Sequence, residues 1–196
     1  MALSLRLESF YTEMDRSIER FRRLTGIDCF PGCGRCCEYP RIETTVLEFI
    51  PMARYLWDTD QAFGVYRSIN GNDTICHLYN PSERERGQGR CALYPWRGFL
   101  CRWFGFVAAK DEVVRRRLMT CRRIRSRYEE TIAALDGRFL GAALPRWPET
   151  KTAFEKIEPT LARRSMHINK ALKGAIEVVF EAGYSPPAPR TAPRAA

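Results

Sequence analysis

Leu7, Phe10, Tyr11, Met14, Ile18 and Phe21 return every three or four positions, the period that lines one face of an α-helix, and predict an amphipathic helix over residues 4–24. The stretch "TTVLEFIPMARYLW" predicts a second helix. Thr45 and Glu48 have capping-box spacing there, and Pro51 falls in the first turns, where proline is best tolerated. Residues 60–70 add a short third helix. From Gly71 to Leu100 the period fails. The charged, turn-forming "NPSERERGQGR" makes this an irregular loop carrying Cys76 and Cys91. "WFGFVAAKDEVVRR" reads as a small hairpin turning at Lys110 and Asp111. Helical spacing resumes through Met119, Ile124, Tyr128, Ile132 and Leu135, over residues 118–136. A last helical stretch, 150–182, is kinked or divided at Pro159.

The fold class expected is therefore mainly α: a small helical domain around an irregular cysteine-rich region, with one short hairpin. Residues 1–28 form the N-terminal helix, 29–121 the cysteine-cluster metal-binding domain, and 122–183 a C-terminal helical section packed on it. The proline-rich tail 184–196 has no hydrophobic period and is expected to be disordered.

The 196 residues suffice for a real core without staples. Charges break the N-terminal stretch every few residues, unlike a secretory signal, and no run approaches the ~20 apolar residues of a membrane span. The expectation is a cytoplasmic protein with no membrane partner. In that reducing compartment clustered cysteines hold metal or do redox chemistry more often than they form disulfides.

Eight cysteines occur, at 29, 33, 36, 37, 76, 91, 101 and 121. "CFPGCGRCCEYP" reads C-x3-C-x2-C-C, and "CALYPWRGFLCR" follows from Cys91 to Arg102. Thiolates are soft ligands suited to zinc, copper(I) or iron–sulfur clusters, and Gly32 and Gly34 permit the backbone angles of a tight ligand loop. On an extended backbone, adjacent side chains point to opposite sides, so Cys36 and Cys37 are expected to face different centres, or to divide as ligand and supporting thiol. Eight thiols suffice for two four-thiolate sites, or for one cluster with reserve thiols.

Cys33-Gly34-Arg35-Cys36-Cys37, followed by Cys91, Tyr94, Arg97, Cys101 and Arg102, resembles the YkgJ-like cysteine-cluster family. Its members carry a C-x2-C-G-x-C-C knot and a later C-x2-Y-x2-R-P-x2-C-R element. Here three residues rather than two separate Cys29 from Cys33, and Gly98 stands in place of proline. The resemblance covers roughly residues 29–121 and implies a zinc- or iron-chelating domain. It implies no defined reaction, although some flagellin lysine methylases carry this kind of domain. Tyr94, Arg97 and Arg102 are then the candidates to contact the cofactor.

C-x3-C-x2-C at Cys29, Cys33 and Cys36 is also the cluster spacing of radical S-adenosylmethionine enzymes. Those need a barrel of alternating strands and helices that this pattern lacks. Thiol–histidine catalysis has two histidines to draw on: His77, read as a loop residue, and His167, read as a surface or satisfied helical one. Trp96, Phe99, Trp103, Phe104 and Phe106 are assigned to the core, where they also shield the site.

The formal charge is +9. A four-thiolate zinc or [4Fe-4S]2+ site carries about −2, so two would bring +9 to about +5. Arg35, Arg90, Arg102 and Arg122 flank the candidate ligands. The remaining surplus, at Arg115 to Arg117 and Arg123 to Arg127, is read first as a solvated helix face and second as a nucleic-acid surface. Three functions follow. The first is an iron–sulfur protein for electron transfer, cluster handling or redox sensing. The second is a zinc structural or chelating module, and the third an accessory module acting on a protein or nucleic acid through its arginines. The thiol-only spacing and the aromatic surroundings place iron–sulfur ahead of zinc.

Overall fold

The computed structural model describes residues 2–70, 74–80, 90–110 and 116–183, with Arg90 as backbone only. Helix α1, Ala2–Thr25, turns Leu7, Tyr11, Met14, Ile18 and Phe21 inward on one stripe, as their spacing requires. A 3-10 turn, Val46–Phe49, runs into α2, Ile50–Asp58, with Pro51 in its opening turn. The Thr45 hydroxyl makes no capping bond, so the helix opens as a 3-10 turn. Helix α3 is Ala62–Ser68. Beyond it come α4, Phe99–Trp103, then α5, Arg122–Arg127, and α6, Glu129–Ala133. Next are α7, Gly137–Ala143, α8, Glu149–Glu155, α9, Pro159–Ala162, and α10, Ile168–Glu181.

Three two-stranded antiparallel pieces tie distant segments together, where one hairpin was expected. Strand β1, Glu43–Thr44, pairs with β6, Met166–His167. Strand β2, Tyr79–Asn80, pairs with β3, Arg90–Cys91. The expected hairpin is β4, Val107–Lys110, on β5, Arg116–Met119; Lys110, expected in the turn, is instead paired with Arg116, and residues 111–115, including Asp111 and Arg115, lie outside the described residues, as do the 81–89 loop and the tail.

Two helical expectations need correction. The span 118–136 is not one helix: Leu118 and Met119 belong to β5, and the rest divides at Tyr128 into α5 and α6. Met119 is 53 % exposed, so it was never part of a buried stripe. The span 150–182 is divided at Pro159, as proline allows, and again at Met166 and His167, which pair with β1.

The core forms two clusters, and α1 enters both. Its first turns meet Phe49, Met52, Leu56, Phe154 and Leu172. Its last turns meet Phe106, Ala108, Leu118, Ile124 and Leu140. Each fully buried aliphatic or aromatic side chain contributes about 1.5–3 kcal/mol relative to exposure. Phe154 stacks on Phe99 with centroids 4.5 Å apart, and Trp57 Nε1 donates to the Ile176 carbonyl at 3.1 Å, fixing α2 against α10. Among the described residues no helix is long and apolar enough to cross a membrane.

Candidate metal centre

The first ligand segment is built by two consecutive turns. Pro31 and Gly32, at φ 61°, form a tight turn closed by the Cys33 amide donating to the Phe30 carbonyl at 3.1 Å. Gly34, at φ 57°, then opens a 3-10 turn over Arg35–Glu38, closed by the Cys37 amide on the Gly34 carbonyl at 2.8 Å. Both glycines occupy the left-handed region that a side chain disfavours. Cys36 and Cys37 therefore do not lie on extended backbone. In a 3-10 turn, neighbours are rotated by about 120°, so the pair diverges without being opposed.

The other thiols are brought to this turn by specific bonds. The Cys76 amide donates to the Cys37 carbonyl at 3.1 Å, and Tyr79 donates its hydroxyl to Glu38 at 2.9 Å. Cys91 lies opposite Tyr79 across β2 and β3. Cys101 sits in α4. Cys121 stands at the start of α5, where its Sγ accepts from the Ile124 amide at 3.5 Å. All eight cysteines are free thiols.

Their packing and mutual electrostatics divide them. Cys76 is buried in the larger core, with Cys37, Cys91 and Cys101 against it, whereas Cys121 packs on the smaller core. Burial raises the Cys101 thiol well above its ordinary pKa, and Glu48, Cys37, Cys91 and Cys36 add to this. Cys91 is raised by burial, opposed in part by the Arg97 charge. Contact with Cys36 pulls the Cys37 thiol down; contact with Cys76, burial and the Cys91 charge outweigh it, pushing Cys37 up to about 12. Cys36 is strongly raised, first by its contact with Cys37 and then by burial. Cys29 belongs to the other neighbourhood: partial burial, then Cys33, Cys121 and Cys36, push it up to about 11. An inner group, Cys37, Cys76, Cys91 and Cys101, thus adjoins an outer one, Cys29, Cys33 and Cys121. Cys36 lies between the two. Among the described residues, no group of three or more His, Cys, Asp or Glu side chains stands ready to hold an ion. The thiols are neighbours rather than a formed coordination set.

The basic surplus is also divided. Arg123 donates to Cys33 Sγ at 2.8 Å, and Arg123 and Arg127 lie over the Phe30 ring at 4.4 and 4.8 Å. The α5 arginines all stay exposed, as expected, and two of them lean over Phe30. Arg35 pairs with Glu38 at the surface, and the Arg90 side chain lies outside the described residues.

Arg102 is nearly buried and already committed. It donates to Asp15 at 3.2 Å, to the Pro95 carbonyl at 2.7 Å and to the Arg97 carbonyl, over the Tyr11 ring. Arg97 also reaches Asp15 and covers Tyr94, which is 54 % exposed. Phe99, Trp103 and Phe106 are core residues, and Trp96 is half-buried on Tyr55. Phe104 is 50 % exposed, so its assignment to the core is corrected.

Three supporting residues were not among the expected site residues. Asn169, buried at the start of α10, accepts from the His77 amide at 2.8 Å and donates to the Ile75 carbonyl at 2.9 Å, holding the segment of Cys76. Asp15 anchors both arginines from α1. Glu48 is fully buried and accepts from the Leu100 amide at 2.7 Å; burial pushes it up to about 7, while Thr44 and the Leu100 and Thr45 amides pull the other way. For Glu48 the signal was its capping-box spacing with Thr45, whose amide does bond to the carboxyl. His77 faces Ser68 Oγ at 3.0 Å, and His167 caps α10 by accepting from Asn169. Compared with models of known protein families, with characterised proteins and with solved structures, the chain matches none.

Proposed function

We propose that this chain is a thiolate metal-binding protein of the YkgJ-like cysteine-cluster kind, holding an iron–sulfur cluster or zinc and acting in redox or metal handling. The supporting observation is that the eight free cysteines, from five separate segments, include two sets whose members raise one another's pKa, one around Cys37 and one around Cys29. Cys37, Cys76, Cys91 and Cys101 would hold an inner centre; Cys29, Cys33, Cys36 and Cys121 an outer one. The donor set fits a soft cation. Burial raises the Cys91 and Cys101 thiols, contact with Cys37 raises Cys36, and Cys37, lowered by Cys36, is raised by Cys76 and burial; a bound cation would supply the positive charge that makes thiolate favourable there. Arg123 beside Cys33 and Arg97 beside Cys91 lower the cost of an anionic centre. Both histidine rings are engaged elsewhere, which leaves thiolates as the donors and favours a cluster over a mixed zinc finger. When bound, a cluster would supply one-electron chemistry; zinc would contribute about 10 kcal/mol per site to folding. A cytoplasmic, reducing compartment suits this number of free thiols.

The test is the metal and acid-labile sulfide content of anaerobically prepared protein, with its absorption spectrum. Iron with stoichiometric sulfide and a visible charge-transfer band establishes the cluster. Zinc without sulfide, and loss of helical signal on chelation, establishes the zinc alternative. Protein that folds fully and carries neither sinks the reading.

A further inference from the structure

The hairpin β4–β5 and helices α5, α6 and α7 enclose a groove of about 820 Å³ on the side of α5 away from Phe30 and the outer thiols. Its rim carries Lys110, Arg116, Arg117, Arg125 and Arg138 against two acids, Glu129 and Asp136. The positive groups come from four different elements, so they are spread along the groove rather than gathered at one point. Met119, Ile132, Ala133 and Leu135 give it an aliphatic lining, and Met119 is 53 % exposed. Arg116 adds a sharper sign. It packs beneath Gly141 and reaches Glu149 at 3.4 Å through Nη2, yet its Nη1 is buried without a hydrogen-bond partner among the described residues. A buried donor left unmet costs about 1–3 kcal/mol.

We infer that this groove docks an acidic peptide segment of a partner protein, its carboxylates on the distributed cations and its aliphatic side chains on the lining. Charge complementarity selects an anionic partner, and the spread of the cations matches charges carried along a chain. Among the described residues the lining holds no aromatic ring on which bases could stack, which favours a peptide over single-stranded nucleic acid. Helix α5 gives the docked partner a position: Arg125 lines the groove, while Arg123 bonds to Cys33 and Arg127 lies over Phe30, and Cys121 precedes the helix. The groove itself rests on no metal, so its test stands apart from that of the centre.

The test is fluorescence anisotropy of the full chain with a short fluorescein-labelled peptide of glutamate and leucine, with oligouridine RNA as competitor. Saturable binding is expected, lost when lysine replaces glutamate in the peptide. Arg125→Glu with Arg138→Glu should weaken it about tenfold or more, as expected where several surface charges act together. Ile132→Asp should weaken it as well. Arg20→Glu with Arg23→Glu, an equal charge change on the exposed face of α1, should leave it unchanged. The inference is overturned if both charge-reversal pairs weaken binding equally, if Ile132→Asp has no effect in a protein that melts like the parent, or if the RNA binds and the peptide does not.

Discussion

The amide of Cys76 donates to the carbonyl of Cys37 at 3.1 Å, joining backbone across nearly forty residues at the point where the two thiols meet. The bond holds the backbone of Cys37 beside that of Cys76. It also gives the two groups of cysteines separate supports: the inner thiols rest on the larger core, and the outer ones on the turn at Phe30 and on α5.

Cys37→Ser and Cys33→Ser should therefore have separable effects. The first is expected to empty the inner centre and leave the outer occupied; the second, the reverse. Metal per chain, measured for each variant, checks this. If either substitution strips all metal, the cysteines form a single centre.

Gly98 stands where the resembled family has proline, and its surroundings give the reason. A Cβ at this position would lie 3.0 Å from Oε2 and 3.1 Å from Cβ of the buried Glu48. Gly98→Ala should destabilise the protein by about 1–3 kcal/mol, as overpacking does. The urea midpoint is the measurement; an unchanged midpoint would mean that Glu48 yields freely.

Glu48 also predicts a pH dependence. Its carboxyl is raised from 4.5 to about 7 in the folded protein, so the fold keeps a proton that the unfolded chain releases. Its contribution is fully present below about pH 4.5 and falls as pH rises to about 7, a loss on the order of 3 kcal/mol. Glu48→Gln should remove that part of the slope. Urea unfolding of both proteins from pH 5 to about 8 provides the comparison, and parallel curves would refute the assignment.

Arg102→Lys tests whether the arginine serves the fold or a cofactor. Lysine cannot satisfy Asp15 and the two carbonyls together, so a loss of about 1–3 kcal/mol is expected with metal content unchanged. Metal lost at full stability would assign Arg102 to the cofactor instead.

Helix α1 was legible because its stripe is strict: Leu7, Tyr11, Met14, Ile18 and Phe21 are all buried, and periodicity reports burial. The same spacing misled at Met119, where a strand residue fell by chance into register with the helix that follows it. The hairpin was legible from an apolar run broken by the charged pair Lys110 and Asp111. The pairing of Glu43 with His167 was not, because a two-residue strand leaves no period to read. At the centre, sequence named the eight cysteines by chemistry alone. It could not show their grouping, which depends on a 3-10 turn at Arg35–Glu38 and on bonds from Asn169 and Tyr79 that carry no motif. Asp15 was hidden for a related reason: a carboxylate on the polar side of an amphipathic helix looks solvated until Arg97 and Arg102 are seen above it.

Because α1 belongs to both cores, it acts as a common spine. Neither half can open fully while the helix stays whole, and unravelling the helix releases both. The molecule should thus melt as one cooperative unit, with the inward amides of α1 among the last to exchange with solvent. Of the outer thiols, Cys121 is tied to that spine through Ile124 of its own short helix, whereas Cys29 and Cys33 flank a turn outside both cores.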